Sequence, residues 1–461
     1  MTEPTSLPDD VQALLGAYLG RQRWYAGSTD PPADAVHTVN TRVLWSSEDH
    51  GHTLWSAIVE AEGARYQVLI GERPGGESAD FLSGREEALL GAVGSCYFYD
   101  ATVDPEMSLH LLEVVTDGAE SAERVRPVSV EQSNTSLVYD DRVIVKIFRR
   151  LAEGPNPDVV VTTALAGAGF GHVAAPVASW RVDNVDLAFA QQFLVGGSEG
   201  WALALTSLRD FYNGDTDVPG DAGGDFAGEA SRLGAMTARM HLAMAGAFGV
   251  EPDLLIDGGY AALIDDVSRR LDAVVPALGN DLAGPARSLI ARLRAVAAPG
   301  PALRVHGDYH LGQVMRTDTG WYVLDFEGEP ARPVTERITP ASPAKDVAGM
   351  LRSFHYASRF ATRERSGFEQ QALGVRARAW EDHNREAFVG GYRSIEGIDA
   401  LLPGNGVDLL AAYELDKALY ELDYERAYRP DWVDIPNDAV VRILGEGDRP
   451  PRPSGPEGAP G

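Results

Sequence analysis

The sequence predicts an α+β chain of two lobes, a β-rich N-terminal part that opens with a small cap and a large helical C-terminal lobe. Three observations predict it. Strand-like apolar runs broken by turn residues fill the stretch up to Val195. Beyond Gly200 the apolar spacing becomes helical. The strand Leu187 to Val195 runs into Gly196-Gly197-Ser198, the exit that a hinge between lobes needs.

Taken in order, residues from about 8 to 27 begin with a helix-spaced set, Val11, Leu14, Leu15, Tyr18 and Leu19, and end in Arg23-Trp24-Tyr25, where packing of a helix end is expected. Val36 to Trp45, Thr53 to Glu60 and Arg65 to Ile70 predict a small antiparallel β unit. A short helix is expected over Arg85 to Val93, and further strands up to Val115. Glu131 to Tyr139 is a turn-rich polar stretch, and Asp140-Asp141 turns the chain into the strand Arg142 to Phe148. Lys146 sits in that apolar strand, an unfavourable place for a charge without a partner, and a phosphate would supply one. Asn156-Pro157-Asp158 opens a helix to about Ala166. The expected division is a cap over 1–90, a β-rich subdomain over 91–195, a helical lobe over 196–448 and a disordered proline-rich tail over 449–461.

In the helical lobe, Trp201 to Phe211, Phe226 to Met244, Tyr260 to Ala277 and Leu282 to Ala297 carry apolar faces, and His241 falls on one as a packing residue. Another helix begins at Lys345-Asp346. The last long one runs from about Leu409 to Tyr428, with Tyr413, Lys417, Tyr420, Tyr424 and Tyr428 in one stripe. Glu414, Glu421 and Glu425 lie beside it and Trp432 follows. Carboxylates next to aromatic faces are how proteins hold sugars; a tyrosine-rich core helix with an acidic flank explains the same pattern, and both readings stand.

The chemistry concentrates in His306-Gly307-Asp308-Tyr309-His310-Leu311-Gly312-Gln313 and Asp325-Phe326-Glu327-Gly328-Glu329. Between them Val314 to Arg316, the turn Asp318-Thr319-Gly320 and Trp321 to Leu324 read as a hairpin, which returns Gln313 and Asp325 to the same end. An amide oxygen and a carboxylate beside a loop carboxylate suit a magnesium-nucleotide site. Kinases place a catalytic aspartate five positions before a metal-binding amide and then an Asp-Phe-Gly ligand. Asp308 and Gln313 keep that interval, and Asp-Phe-Glu follows. ATP and Mg²⁺ are therefore the expected cofactors. Lys146 is expected on the phosphates, with Ser133, Thr135 and Ser136 standing in for a glycine-rich cover, and the chain at Gln192 and Leu194 on the adenine edge. A kinase braces such a lysine with a helix glutamate. Here the helix shows Val159, Val160 and Val161, so either Asp158 or a residue elsewhere takes that part, or the lysine becomes ordered only when nucleotide is bound. Asp346 is expected to buttress the catalytic loop.

A net charge of −28 over 461 residues argues against a nucleic-acid groove or an anionic membrane surface. The single cysteine, Cys96, allows no internal disulfide and is expected as a small buried residue. The start, Met1-Thr2-Glu3-Pro4, lacks the regions of a secretory leader and no apolar run reaches membrane-spanning length, so a cytoplasmic location is expected.

Gln132-Ser133-Asn134-Thr135-Ser136, Asn156-Pro157-Asp158, the 306–313 and 325–330 motifs, Asp346 to Phe354 and Tyr413 to Ala418 together resemble the actinobacterial maltokinases, and Arg23 to Gly27 resembles the start of their N-terminal cap. The resemblance covers nearly the whole chain. It implies a eukaryotic-protein-kinase-like fold of the aminoglycoside-phosphotransferase type. By it Asp308 is the base, Gln313 and Asp325 bind Mg²⁺, Glu327 assists a second metal or the loop, and Lys146 holds ATP. The chain departs from the maltokinase pattern at Tyr309, His355 and Tyr428. It looks like a member of a related group that phosphorylates glucosamine, and one of its carboxylates Glu414, Glu421, Glu425 and Asp308 is expected to neutralise the substrate ammonium. Asp308, Tyr309, His310, His355, Glu414, Tyr420, Glu421, Tyr424, Glu425 and Trp432 are the expected acceptor contacts. The expected activity is formation of glucosamine 6-phosphate from glucosamine and MgATP. Maltose phosphorylated at its anomeric hydroxyl, an aminoglycoside acceptor and a nucleotide-binding scaffold without catalysis are the alternatives. Besides the sugar no nucleic-acid or membrane partner is expected, and the chain is expected as a monomer or weak homodimer.

Overall fold

A computed structural model of the chain describes residues 6–29, 31, 35–128, 133–329, 332–363, 373–404 and 406–446. The tail expected to be disordered lies outside them. The fold divides into two compact units between Gly196 and Gly197, with Gly167–His172 belonging to the second.

The first unit opens with two short helices, α1 (Asp9–Gln12) and α2 (Leu15–Leu19). Then come β1 (Val36–Ser46), β2 (Thr53–Ala61) and β3 (Ala64–Pro74), three antiparallel strands that match the expected β unit. β4 (Leu89–Val93) and β5 (Cys96–Asp100) extend this sheet in the order β1-β2-β3-β5-β4. The helix expected over Arg85 to Val93 is therefore corrected to a single 3-10 turn, Glu86–Ala88, followed by strand β4, whose backbone pairs with β5 from Leu89 to Val93. Cys96 is half-buried at the start of β5.

α3 (Pro105–Val115) replaces the strands expected there. Its start carries a helix signal that outweighs the β-favouring valines: Asp104 accepts a bond from the Glu106 N–H at 2.9 Å, and Pro105 occupies the first turn. Met107, Leu111 and Val115 then recur on one face. That face supplies a core shared by two sheets, because β6 (Val125–Pro127), β7 (Asn134–Tyr139), β8 (Val143–Phe148), β10 (Pro176–Val182) and β11 (Val185–Gln192) form a second sheet in the order β10-β11-β8-β7-β6. Leu54 and Leu69 from the first sheet and Leu137, Val145 and Leu187 from the second meet Leu111 there. β9 (Arg150–Leu151) pairs back onto β3, and α4 (Pro157–Gly167) follows where the Asn-Pro-Asp start placed it. Arg149 is buried and donates to both oxygens of the buried Asp100, at 3.0 and 2.7 Å, while its guanidinium lies over Trp24. Trp24 and Tyr25 also pack on Tyr66, as a helix end packs.

The second unit begins with β12 (Ser198–Glu199) and α5 (Gly200–Asn213), then α6 (Ala227–Phe248). β13 (Val250–Glu251), α7 (Tyr260–Leu278), α8 (Ala283–Arg294) and β14 (Ala302–Leu303) lead into the central loop. β15 (Val314–Thr317) and β16 (Gly320–Val323) form the expected hairpin, with β12 on its outer side. α9 (Val334–Arg337) and α10 (Ala344–Arg363) follow. α11 (Gly374–Arg393), α12 (Val407–Tyr428) and α13 (Asp434–Glu446) complete the unit. α12 is thus not the last long helix, and α11 was not anticipated. α11 packs on α6 at two glycines: a β-carbon on Gly234 would come within 2.0 Å of the Phe388 carbonyl oxygen, so no side chain fits. Phe226, Phe354, Trp380 and Phe388 gather around that crossing in mostly edge-on contacts. Among the described residues no helix is long and apolar enough to cross a membrane.

Candidate active site

The 306–313 loop is held from below by α10. Both oxygens of Asp346 accept backbone bonds, from the His306 N–H at 2.8 Å and the Gly307 N–H at 2.9 Å. Burial would raise this carboxyl, but His241, His306 and the Gly307 N–H outweigh it and hold Asp346 below the usual carboxylate range. His241 is fully buried, with Nε2 3.1 Å from Asp346 and Nδ1 2.8 Å from the Tyr392 hydroxyl, a satisfied packing histidine. The loop lies flat on α10 because residue 349 is glycine. A β-carbon there would stand 2.5 Å from the Tyr309 carbonyl oxygen.

Asp308 emerges half-buried from this loop. The Lys417 ammonium, delivered by α12, is 3.1 Å from Asp308 Oδ1 and 2.6 Å from Glu329 Oε1. Burial opposes ionisation of Asp308, yet Lys417 and His310 prevail and the carboxyl is held down to about 2. His310 Nδ1 accepts from the Gly312 N–H at 3.0 Å, which places the proton of a neutral ring on Nε2, 3.9 Å from Asp308 Oδ2. The hairpin does what its spacing promised: Gln313 Nε2 lies 3.3 Å from Asp325 Oδ2. Asp325 adopts φ +61°, a left-handed conformation uncommon outside glycine, and Glu327 brings a carboxylate oxygen within 4.8 Å of that of Asp325.

In the first unit, Lys146 on β8 is paired with Asp158 of α4 at 3.2 Å, both largely buried, so Asp158 is the brace. The phosphate cover needs correction. Thr135 and Ser136 lie inside strand β7 and not in a loop, the Thr135 hydroxyl accepts from Arg149 at 2.8 Å, and Ser136 is buried opposite Lys146. Only Ser133 of the three is exposed. The Gln192 N–H is bonded to the Ala175 carbonyl at 2.8 Å, and Leu194 follows, half-buried.

The expected acceptor residues separate. His355 is fully buried, with Nδ1 2.9 Å from Glu381, and so does not reach a cleft. Tyr309 is also in the core, its hydroxyl 2.8 Å from that of Thr237. Glu414 is buried and taken by Arg385 at 2.9 Å on each oxygen and by Arg442 at 3.2 Å. Glu421 pairs with Arg352 at 2.5 Å, and Glu425 accepts from Tyr356 and Arg429. The three glutamates share a reason: carboxylates that are buried or half-buried need cations or donors, and arginines supply them. Tyr424 and Tyr428 are exposed, Tyr428 at 72%. Trp432 stacks on Tyr356 and Phe360. Tyr420 stays at the site, between Lys417 and Arg332, whose charges lie 5.1 and 6.0 Å from its ring centre. Sequence reasoning missed Lys417 and Glu329 as site residues. The signal was present: a lone lysine in an otherwise aromatic stripe.

Residues 124–384 match the pattern of the phosphotransferase enzyme family, more than half of the chain. The chain belongs to the phosphotransferase enzyme family. Residues 18–104 match the maltokinase N-terminal cap domain. A glucosamine kinase of Mycolicibacterium smegmatis is 30% identical to this phosphotransferase over 350 residues, 71% of this chain and 82% of that one. A glucosamine kinase of Streptacidiphilus jiangxiensis is 28% identical over 420 residues, 86% and 89% of the two chains. Among solved structures, a glucosamine kinase in complex with glucosamine, ADP and inorganic phosphate superimposes with a TM-score of 0.65 at 22% identity, covering 96% of this phosphotransferase and 100% of that chain, and shows the same kinase-like fold.

Proposed function

We propose that the chain is an ATP-dependent sugar kinase that phosphorylates glucosamine to glucosamine 6-phosphate. The observation that carries the reading is the ionised, buttressed Asp308 in a loop that ends at the Gln313–Asp325 pair, in a family whose similar members are named glucosamine kinases. Asp308 orients the acceptor hydroxyl and takes its proton late. A carboxyl held down to about 2 is a weak base in the ground state and becomes effective only as the hydroxyl oxygen bonds to phosphorus.

The residues fit Mg²⁺. Asp325 and Glu327 place two anionic oxygens within 4.8 Å of one another, and the Gln313 amide adds a neutral oxygen, the donor set of a hard cation. When bound, the ion neutralises charge on the phosphoryl oxygens. Lys146, held ready by Asp158, is the phosphate ligand of the first unit. A cytoplasmic setting, where ATP is abundant, goes with this reading.

The test is phosphate transfer from MgATP to glucosamine, glucose, maltose, N-acetylglucosamine and kanamycin. Selective turnover of glucosamine is expected. Selective turnover of maltose replaces the acceptor assignment, and ATP binding without transfer to any sugar replaces the enzyme by a scaffold. Asp308→Asn should keep nucleotide binding and lose at least about a hundredfold in kcat; full activity removes Asp308 from its role.

A further inference from the structure

We propose that Lys417 is a positioning residue that fixes one oxygen of Asp308 and reserves the other for the acceptor hydroxyl, an inference that rests on Asp308 being the base proposed above. The ammonium contacts Oδ1; for Oδ2 the polar side-chain neighbour among the described residues is His310 Nε2, at 3.9 Å, beyond hydrogen-bond reach. A carboxylate free to rotate offers either oxygen, and only one orientation is productive. Binding Oδ1 removes the ambiguity.

Lys417 is itself held firmly. Its second contact, Glu329 Oε1, is nearly buried and bonded on its other oxygen by Arg332 at 2.6 Å. On the preceding position of α12, Asp416 pairs with Arg270 of α7 and ties the helix down. Lys417 also lines a cavity of about 20 Å³, the space of one water, together with Tyr309, Tyr413, Tyr420 and Glu329. The charges facing Asp308 are His306 and His310 from its own loop and Lys417 from α12, with Glu329 behind the lysine. Lys417 is the strongest of the favourable influences on Asp308, and its own pKa rises because Asp308 and Glu329 outweigh its burial.

The inference predicts two linked effects of Lys417→Met. The kcat falls about a hundredfold while KM for MgATP stays within about twofold, the signature of a misaligned reacting group. The acid limb of kcat/KM for the acceptor moves up by about two pH units or more, because burial of Asp308 is then unopposed by its main counter-charge. The double variant Lys417→Met with Glu329→Gln removes the carboxylate that the single variant leaves unpaired, and protects the test against misfolding. It is expected to stay as slow as the single variant. Recovery of wild-type kcat and pH profile in the double variant overturns the inference, since Lys417 would then only neutralise Glu329. An unchanged acid limb in Lys417→Met overturns it too. If the wild-type protein does not turn over glucosamine, the proposed function fails separately. ¹³C-carboxylate titration of Asp308, identified with Asp308→Asn, then reads the lysine's effect without turnover. A titration midpoint of Asp308 that is higher in Lys417→Met than in the wild type supports the inference, and the same midpoint in both overturns it.

Discussion

Glu414 shows how a residue's neighbours decide its chemistry. In the sequence it is a carboxylate beside an aromatic stripe, a fair candidate for a substrate ammonium. In the structure two arginines, Arg385 and Arg442, already occupy it, and together they hold its carboxyl below the usual range against the opposing effect of burial. Glu414→Gln leaves both guanidiniums short of a counter-charge, and a broken buried pair costs about 3–5 kcal/mol. Urea unfolding should show a loss of that size, with KM for the sugar little changed. Full stability with a raised sugar KM would return Glu414 to the acceptor site. Lys417 is the converse case. It reads as one more position on a helix face, and its partners are Asp308 and Glu329, distant in sequence and adjacent in space.

At the scale of elements, local signals were legible where they were strong. The hairpin β15–β16, the proline start of α4 and the long helices α5, α6 and α10 stand close to where periodicity and turn residues place them. α3 was misread because Val114-Val115 favours strand, whereas the Asp104-Pro105 cap and burial of Leu111 on two sheets favour helix. The brace for Lys146 illustrates a choice between elements: α4 offers valines in its first turn and places Asp158 on the lysine at 3.2 Å. Asp158→Ala should raise KM for ATP about tenfold, a change of about 1.4 kcal/mol, in steady-state kinetics at saturating sugar. A drop in thermal stability with unchanged KM would make the pair purely structural.

For the whole molecule, buried ionic pairs set the response to acid. Burial pushes the carboxyls of Asp100, Asp346, Glu381 and Glu414 up, but their arginine, histidine and backbone partners hold each below its ordinary value. The unfolded chain therefore takes up protons near pH 4 where the folded one does not, so their stabilisation is complete above that pH and lost as pH falls through it. Burial also holds His355 below the ordinary imidazole value, although Glu381 opposes it. The unfolded chain protonates that histidine near pH 6.5, so a shallower loss begins there. Urea unfolding across pH 3.5 to 8 should show a plateau above about pH 7, a gentle decline to about 5 and a steep one below about 4.5. A midpoint unchanged down to pH 4 would contradict this account.

The sequence by itself determined the α+β class, the hairpin that joins Gln313 to Asp325, the loop that carries Asp308 and the strand that carries Lys146. These follow from alternation, turn chemistry and spacing within a few dozen residues, which act before distant segments meet. Tertiary structure alone decided which charges are consumed in the core and which remain for chemistry. Glu414, Glu421, Glu425 and His355 differ little in type from Asp308 and His310. Their roles part only when α10, α11, α12 and α13 pack, because burial makes an unpaired charge so unfavourable that each must find a partner wherever the fold supplies one.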